Sequence, residues 1–414
     1  MAELHDVVHG LMSERGMSLR ALAKAVHHDP SYVSKAVRGI KPCGPALARA
    51  IDDVLGADGT IIAAAAAVPG KPKAGKPRPV AGNDGAASGA VAALQAVMTG
   101  DPAELDIAAD GLGELVRYYA HAVAVSPSAE VYAELLSART FARTLVIRTA
   151  PKGRTDLAVW AGWLSSLLAI SATDLGDHAA AVVWCADAER RGRDTGFPEL
   201  LGWAALTRAA IAYYQGDPAR SIAAARQGQA AAPVGSAAHV KLAAQEMRCL
   251  AMLGDYEPMA DARRRAAAAL GRITPDAMSA GVYALPRADD PPYTATSLLL
   301  AGRYGEAAVM TRGILASAYR SRRAGDQPTN YARTLLILAL AAAGLGDVDE
   351  AAATGAEALE AGRVVWPTLV LAGRLARQLD AASPGSPHAV GFRERYVHAG
   401  SRLALAAGSG GEAR

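Results

Sequence analysis

Residues 17–42 read MSLRALAKAVHHDPSYVSKAVRGIKP, and the reading of this stretch decides how the N-terminal part of the chain folds. Ser18 is an N-cap for a helix that carries Leu19, Leu22, Ala23 and Val26 on its inner side. The turn that follows is His27, His28 and Asp29. Asp29 caps the next helix and Pro30 takes its first position, where a missing N–H costs nothing. Val33 and Val37 then face a core, and Gly39 stops the helix.

Working outward, Leu4, Val7, Val8, Leu11 and Met12 repeat at helical spacing up to Gly16. Downstream, Pro45 opens a fourth helix with the stripe Leu47, Ile51 and Leu55, and Gly56 stops it. Two short helices across a tight turn are the layout that places one helix in the major groove of DNA. Residues 1–60 are neutral overall, but their bases cluster between Arg15 and Arg49 and their acids lie mostly at the two ends. A basic face with acidic flanks is compatible with a phosphate backbone, and the neutral total points to modest affinity. His5 and His9 sit one turn apart without further ligands, so they read as surface histidines.

Ser18-Leu19-Arg20-Ala21-Leu22-Ala23, then Ser31-Tyr32-Val33-Ser34-Lys35, then Val37-Arg38-Gly39, resemble the phage-repressor/Cro-type helix-turn-helix, the xenobiotic-response-element family. The segment PALARAIDDVLGADG that follows is similar to the actinobacterial branch. Where the family often has Gly in the turn, this chain has His27, which tolerates a left-handed backbone better than a β-branched residue does. The resemblance implies a lambda-repressor-like domain at residues 1–66. It places Arg20, Ser31, Tyr32, Ser34 and Lys35 toward double-stranded DNA and Arg38 nearer its backbone. Arg can pair bidentately with guanine, Ser and Tyr can donate to phosphates or base edges, and Lys supplies a point charge. The plainer reading of the same residues is a solvated helix face.

Residues 67–90 are rich in Pro, Gly and Lys and read as a linker. Lys71, Lys73, Lys76 and Arg78 face only Asp84 as a counter-charge. The stretch is either a tether or a basic arm against DNA.

From residue 91 to 407 one amphipathic helix follows another, and a turn signature recurs at Gly176-Asp177, Gly216-Asp217, Gly254-Asp255, Gly302-Arg303 and Gly346-Asp347. The steps are 40, 38, 48 and 44 residues, which indicates stacked helical hairpins. With Ala169, Ala209 and Ala339 at the small site of the first helix, and Ala181, Ala307 and Ala351 at that of the second, the hairpins resemble tetratricopeptide repeats. They are longer than the ~34 residues of that motif. The resemblance implies an α-solenoid whose concave groove is lined by first helices. The repeat register places Trp163, Trp203, Tyr213, Lys241, Arg248, Asn330 and Arg333 toward it, as a candidate site for a peptide or small-molecule effector. The other reading of the aromatics is core or inter-repeat packing. The carboxylate-clamping pattern of chaperone-binding repeats is absent, since those positions hold Leu167, Thr207, Gln245 and Ile337.

Composition agrees with an all-α protein. Hydrophobic residues make up 51%, much of it alanine, and aromatics only 5%. Net charge is +3 and argues for no partner by itself. Cys43, Cys185 and Cys249 have neither metal nor disulfide spacing, which fits a reducing compartment. No apolar run is read as a membrane span. No phosphate loop, metal set or nucleophile elbow is present, so no cofactor, metal or catalytic residue is expected. The expectation is a cytoplasmic, non-enzymatic, homodimeric DNA-binding transcriptional regulator. It is similar in composite architecture to actinobacterial regulators and, more distantly, to peptide-pheromone receptors of Gram-positive bacteria. A ligand-independent regulator and a protein-interaction scaffold stay open as alternatives.

Overall fold

The computed structural model describes residues 4–26, 30–38, 43, 45–66, 105–149, 154–273, 281–285, 290–319, 327–360 and 363–409. These residues form helices and no strand. The chain divides into two compact units, residues 1–81 and 82–414. The turn at 27–29, Gly39, and the linker expected at 67–90 lie outside the described residues.

The first unit holds α1 (Leu4–Glu14), α2 (Leu19–Ala25), α3 (Pro30–Val37), α4 (Pro45–Leu55) and α5 (Thr60–Ala66). Ser18 caps α2 as expected, its hydroxyl accepting from the Ala21 N–H at 3.2 Å. Leu4, Val8, Met12, Leu22, Val26, Val33, Val37, Leu47, Ile51 and Leu55 form one core. Helix α5 was not expected as a separate element. Its start is fixed by Asp52, a buried carboxylate on α4 that accepts from the Gly59 N–H at 2.8 Å and the Ile61 N–H at 2.9 Å. Ile61 then closes the core from below α4 and α1.

The second unit is an array of antiparallel helices: α6 (Leu105–Val125), α7 (Ser128–Arg148), α8 (Arg154–Leu175), α9 (His178–Thr195), α10 (Pro198–Tyr214), α11 (Pro218–Ala231), α12 (Ala237–Leu253), α13 (Tyr256–Leu270), α14 (Thr294–Leu300), α15 (Tyr304–Ala318), α16 (Pro328–Gly344), α17 (Val348–Glu360), α18 (Trp366–Ala382) and α19 (Pro387–Ser409). Neighbours in sequence pack as hairpins, and first helices stack on first helices, as in α8 on α10, α10 on α12 and α16 on α18. This is an α-solenoid, in which each hairpin buries its apolar face only by stacking on the next.

The recurring glycine-aspartate turn has a physical cause. Gly176, Gly216, Gly254, Gly302 and Gly346 all adopt left-handed backbone (φ +73° to +90°), which ends the first helix of each hairpin. Asp177, Asp217 and Asp347 then cap the second helix, accepting from the N–H three residues on at 2.9–3.0 Å. Ala169, Ala181, Ala209, Ala307, Ala339 and Ala351 are fully buried, consistent with two backbones approaching at those sites. Helix α8 has the length and hydropathy of a bilayer-spanning segment, and most of that segment is buried within the array.

The array also returns on itself. Helix α18 packs against α8, and α19 against α7 and α8. Trp366 stacks edge-on to His178 (4.1 Å between ring centres) and Tyr214 (5.9 Å), and lies against Gly176. Arg363 bonds to the Ser128 hydroxyl and pairs with Asp174 at 3.0 Å. The last hairpin thereby contacts the first ones and encloses the side chains between them.

Candidate functional site

The apolar side of α2 and α3 is spent on the core, so what remains is a polar face. Arg20 on α2 and Lys35 on α3 are exposed and make no ion pair among the described residues. Lys24, not singled out from sequence, is exposed on the same short helix. Tyr32 is half-buried, its ring packed against the apolar core of the unit. A face that keeps cations extended and unneutralised suits phosphates and base edges.

Ser34 and Arg38 are not independent. The Arg38 guanidinium donates to the Ser34 hydroxyl at 2.5 Å and to the Ser34 carbonyl at 3.3 Å, one turn back on the same helix. Arg38 is thus folded along α3, and a contact from either residue to DNA requires this bond to be exchanged. The Ser31 side chain lies outside the described residues.

In the array, the structure corrects the expected groove at three residues. Trp163 and Trp203 are each only 2% exposed and belong to the main core. The reason is Tyr283, in the 3-10 turn Gly281–Tyr283, which fills the space between the two indoles with ring centres 5.0 and 4.6 Å away. The Lys241 ammonium donates to the Val282 carbonyl at 3.1 Å and lies 5.0 Å over Trp203, holding this turn in place. Gly281 has φ +55° and sits so close to the Ala120 carbonyl of α6 that any Cβ would overlap it. Packing, not an open groove, describes the two tryptophans. Asn330, the third residue, is exposed at the start of α16, and its amide donates to Gln327.

Tyr213, Arg248 and Arg333 do converge. Arg248 of α12 is 4% exposed, with its guanidinium 3.8 Å from the Tyr213 ring centre and 4.1 Å from that of Tyr293. Its Nε is buried without an acceptor, and none of the ion pairs among the described residues includes it. Arg333 of α16 lies 5.9 Å from the Tyr214 ring and 3.9 Å from Asp174, and its Nε is likewise buried and unbonded. Asp174 is already engaged by Arg363. Sequence reasoning missed Asp174, Tyr214, Tyr293 and Arg363, which come from four different helix ends or connections.

The electrostatics report the same excess of positive charge. Desolvation, helped by the charge of Arg333, pushes the Lys241 ammonium down to about 8. Burial alone would raise the Tyr214 phenol, yet the charges of Arg333 and Arg248 and a hydrogen bond from Arg248 hold it below its ordinary value. Lys241, Tyr214, Tyr293 and Arg333 are each half-buried and keep part of their surface accessible.

Residues 5–65 match the family model described as a helix-turn-helix domain, a segment that covers α1 to α5. Comparison of the whole chain with curated proteins returns no match.

Proposed function

We propose that the protein is a cytoplasmic, sequence-specific DNA-binding transcriptional regulator of the phage-repressor/Cro type. Its helical array, built of tetratricopeptide-like hairpins, serves as the dimerisation and effector-binding domain. The observation that carries this reading is the helix-turn-helix match at residues 5–65 together with the exposed, unneutralised Arg20 and Lys35 on the two helices of the motif. A sensing role is supported by the buried Nε groups of Arg248 and Arg333 in the array, which have no acceptor among the described residues. A dimer would read two half-sites one or more helical turns apart. No catalytic role is assigned to any residue.

Selection of duplexes from a random pool by the full-length protein tests the proposal. Enrichment of a defined, pseudo-palindromic motif is the expected result. Recovery of no motif would favour the second reading, a protein-interaction scaffold with a non-functional DNA head. The burial of Trp163 and Trp203 is the observation on that side, since it removes the aromatic anchors expected of a peptide-sensing groove.

A further inference from the structure

Arg248, Arg333 and Arg363 meet in the interior of the array, and among the described residues the one carboxylate paired with any of them is Asp174. That leaves two positive charges unneutralised before Lys241 is counted. Arg248 lies over the rings of Tyr213 and Tyr293 and bonds to the Tyr214 phenol, but its buried Nε has no acceptor among the described residues. Burying a cation without a counter-charge is costly, and the usual resolution is a paired anion. A tyrosine sandwich is also how a planar cation is held with its N–H edge aimed at an oxyanion.

An opening lies beside this cluster. A cavity of about 610 Å³ is lined by Met252, Leu300, Arg374, Arg377 and Gln378. Its lining residues neighbour the cluster without belonging to it. Met252 is one turn beyond Arg248 on α12, Leu300 packs with Tyr293 against the same apolar group, and the charge of Arg374 acts on Tyr213. Arg374 and Arg377 are exposed and make no ion pair among the described residues, so the cavity is lined by cations and by no carboxylate.

We infer that this interior is a binding site for a small oxyanion bearing two negative charges, held by Arg248 and Arg333 and admitted past Arg374 and Arg377. The inference rests on the reading of the array as an effector-binding domain and names the chemistry of the effector. Phosphate and dicarboxylate groups share that chemistry. The bound anion supplies acceptors to the unpartnered Nε groups of Arg248 and Arg333, and it ties α12 to α16 across the interior.

The test is thermal unfolding of the full-length protein at pH 7.5 in sodium phosphate, in sodium succinate and in sodium chloride of equal ionic strength. The midpoint is expected to rise by at least about 2 °C in phosphate or succinate over chloride, since a ligand that binds only the folded state stabilises it by mass action. Arg248→Met and Arg333→Gln, checked for native helicity by circular dichroism, are expected to lose most of that rise. Phosphate acting alone would assign a phosphoryl ligand, and succinate alone a dicarboxylate. Equal midpoints in all three salts would overturn the inference, as would a rise that both variants retain. Should Arg248→Met fail to fold, the wild-type salt comparison and Arg333→Gln decide. DNA selection on the same preparation separates the two readings. A protein that selects DNA but ignores both anions loses this site and keeps its regulator role, and the converse removes the regulator role alone.

Discussion

Asp187 carries more polar contacts than any groove residue and belongs to the frame of the array. It accepts from Arg139 at 2.6 Å, Ser165 at 2.7 Å, Arg191 at 3.0 Å and Arg190 at 2.9 Å. Burial pushes its carboxyl up, but hydrogen bonds from Arg139 and Ser165 and the charges of Arg139 and Arg191 outweigh that and hold it well below the usual carboxylate range. A carboxylate depressed in the folded state stabilises above its unfolded pKa of about 3.9 and loses that contribution as pH falls below it. Asp187→Asn should therefore cost about 3 kcal/mol near neutrality, because Arg139 is buried and would be left without its counter-charge. In urea melts the difference between wild type and variant should shrink below about pH 4. A pH-independent difference would show that packing, not charge, holds this corner. In the first unit Asp52 accepts from two backbone N–H groups and so makes α5 part of that domain.

Helix ends are where sequence and structure correspond best. The glycine-aspartate turns are local, since both the left-handed glycine and the cap act within four residues, and they could be read directly. The structure adds a distinction among them. Asp217 caps α11 through its side chain, whereas Asp255 makes no such bond to α13. Asp217→Ala should thus destabilise by about 1 kcal/mol and Asp255→Ala by distinctly less, measured by chemical denaturation. Equal losses would mean that the caps act through the turn backbone instead. Helix α5 was missed because its determinant, Asp52, reads as a surface acid until the chain folds it under Gly59. The repeat register points Trp163 and Trp203 inward, where the structure buries them in the main core. What fills the space is Tyr283, on a turn 80 residues beyond Trp203 with no periodic pattern of its own. Tyr213, Arg248 and Arg333 are legible as inward residues, whereas Tyr214, Tyr293 and Asp174, which meet them from other helix ends, are not.

At the scale of the whole molecule, closure of the array is the feature no local pattern announces. It depends on Trp366 and Arg363 meeting residues of α7 to α10 that lie 150 to 235 positions earlier in the chain. Removing the Trp366 side chain should cost about 3 kcal/mol and lower amide-exchange protection in α8 as well as in α18. Loss of protection confined to α18 would show that the ends of the array do not support each other. A closed array gives an interior event a way to reach its outer surface, which is what a regulator with a separate DNA head needs. The central functional claim is that α2 and α3 read DNA sequence. The direct measurement is fluorescence anisotropy of the full-length protein with the selected duplex and a scrambled one, for wild type, Arg20→Ala and Lys35→Ala. Wild type should prefer the selected duplex, and each variant should lose about 1–3 kcal/mol on it and little on the scrambled duplex. Equal binding of both duplexes by wild type, or variants indistinguishable from it, would contradict the account.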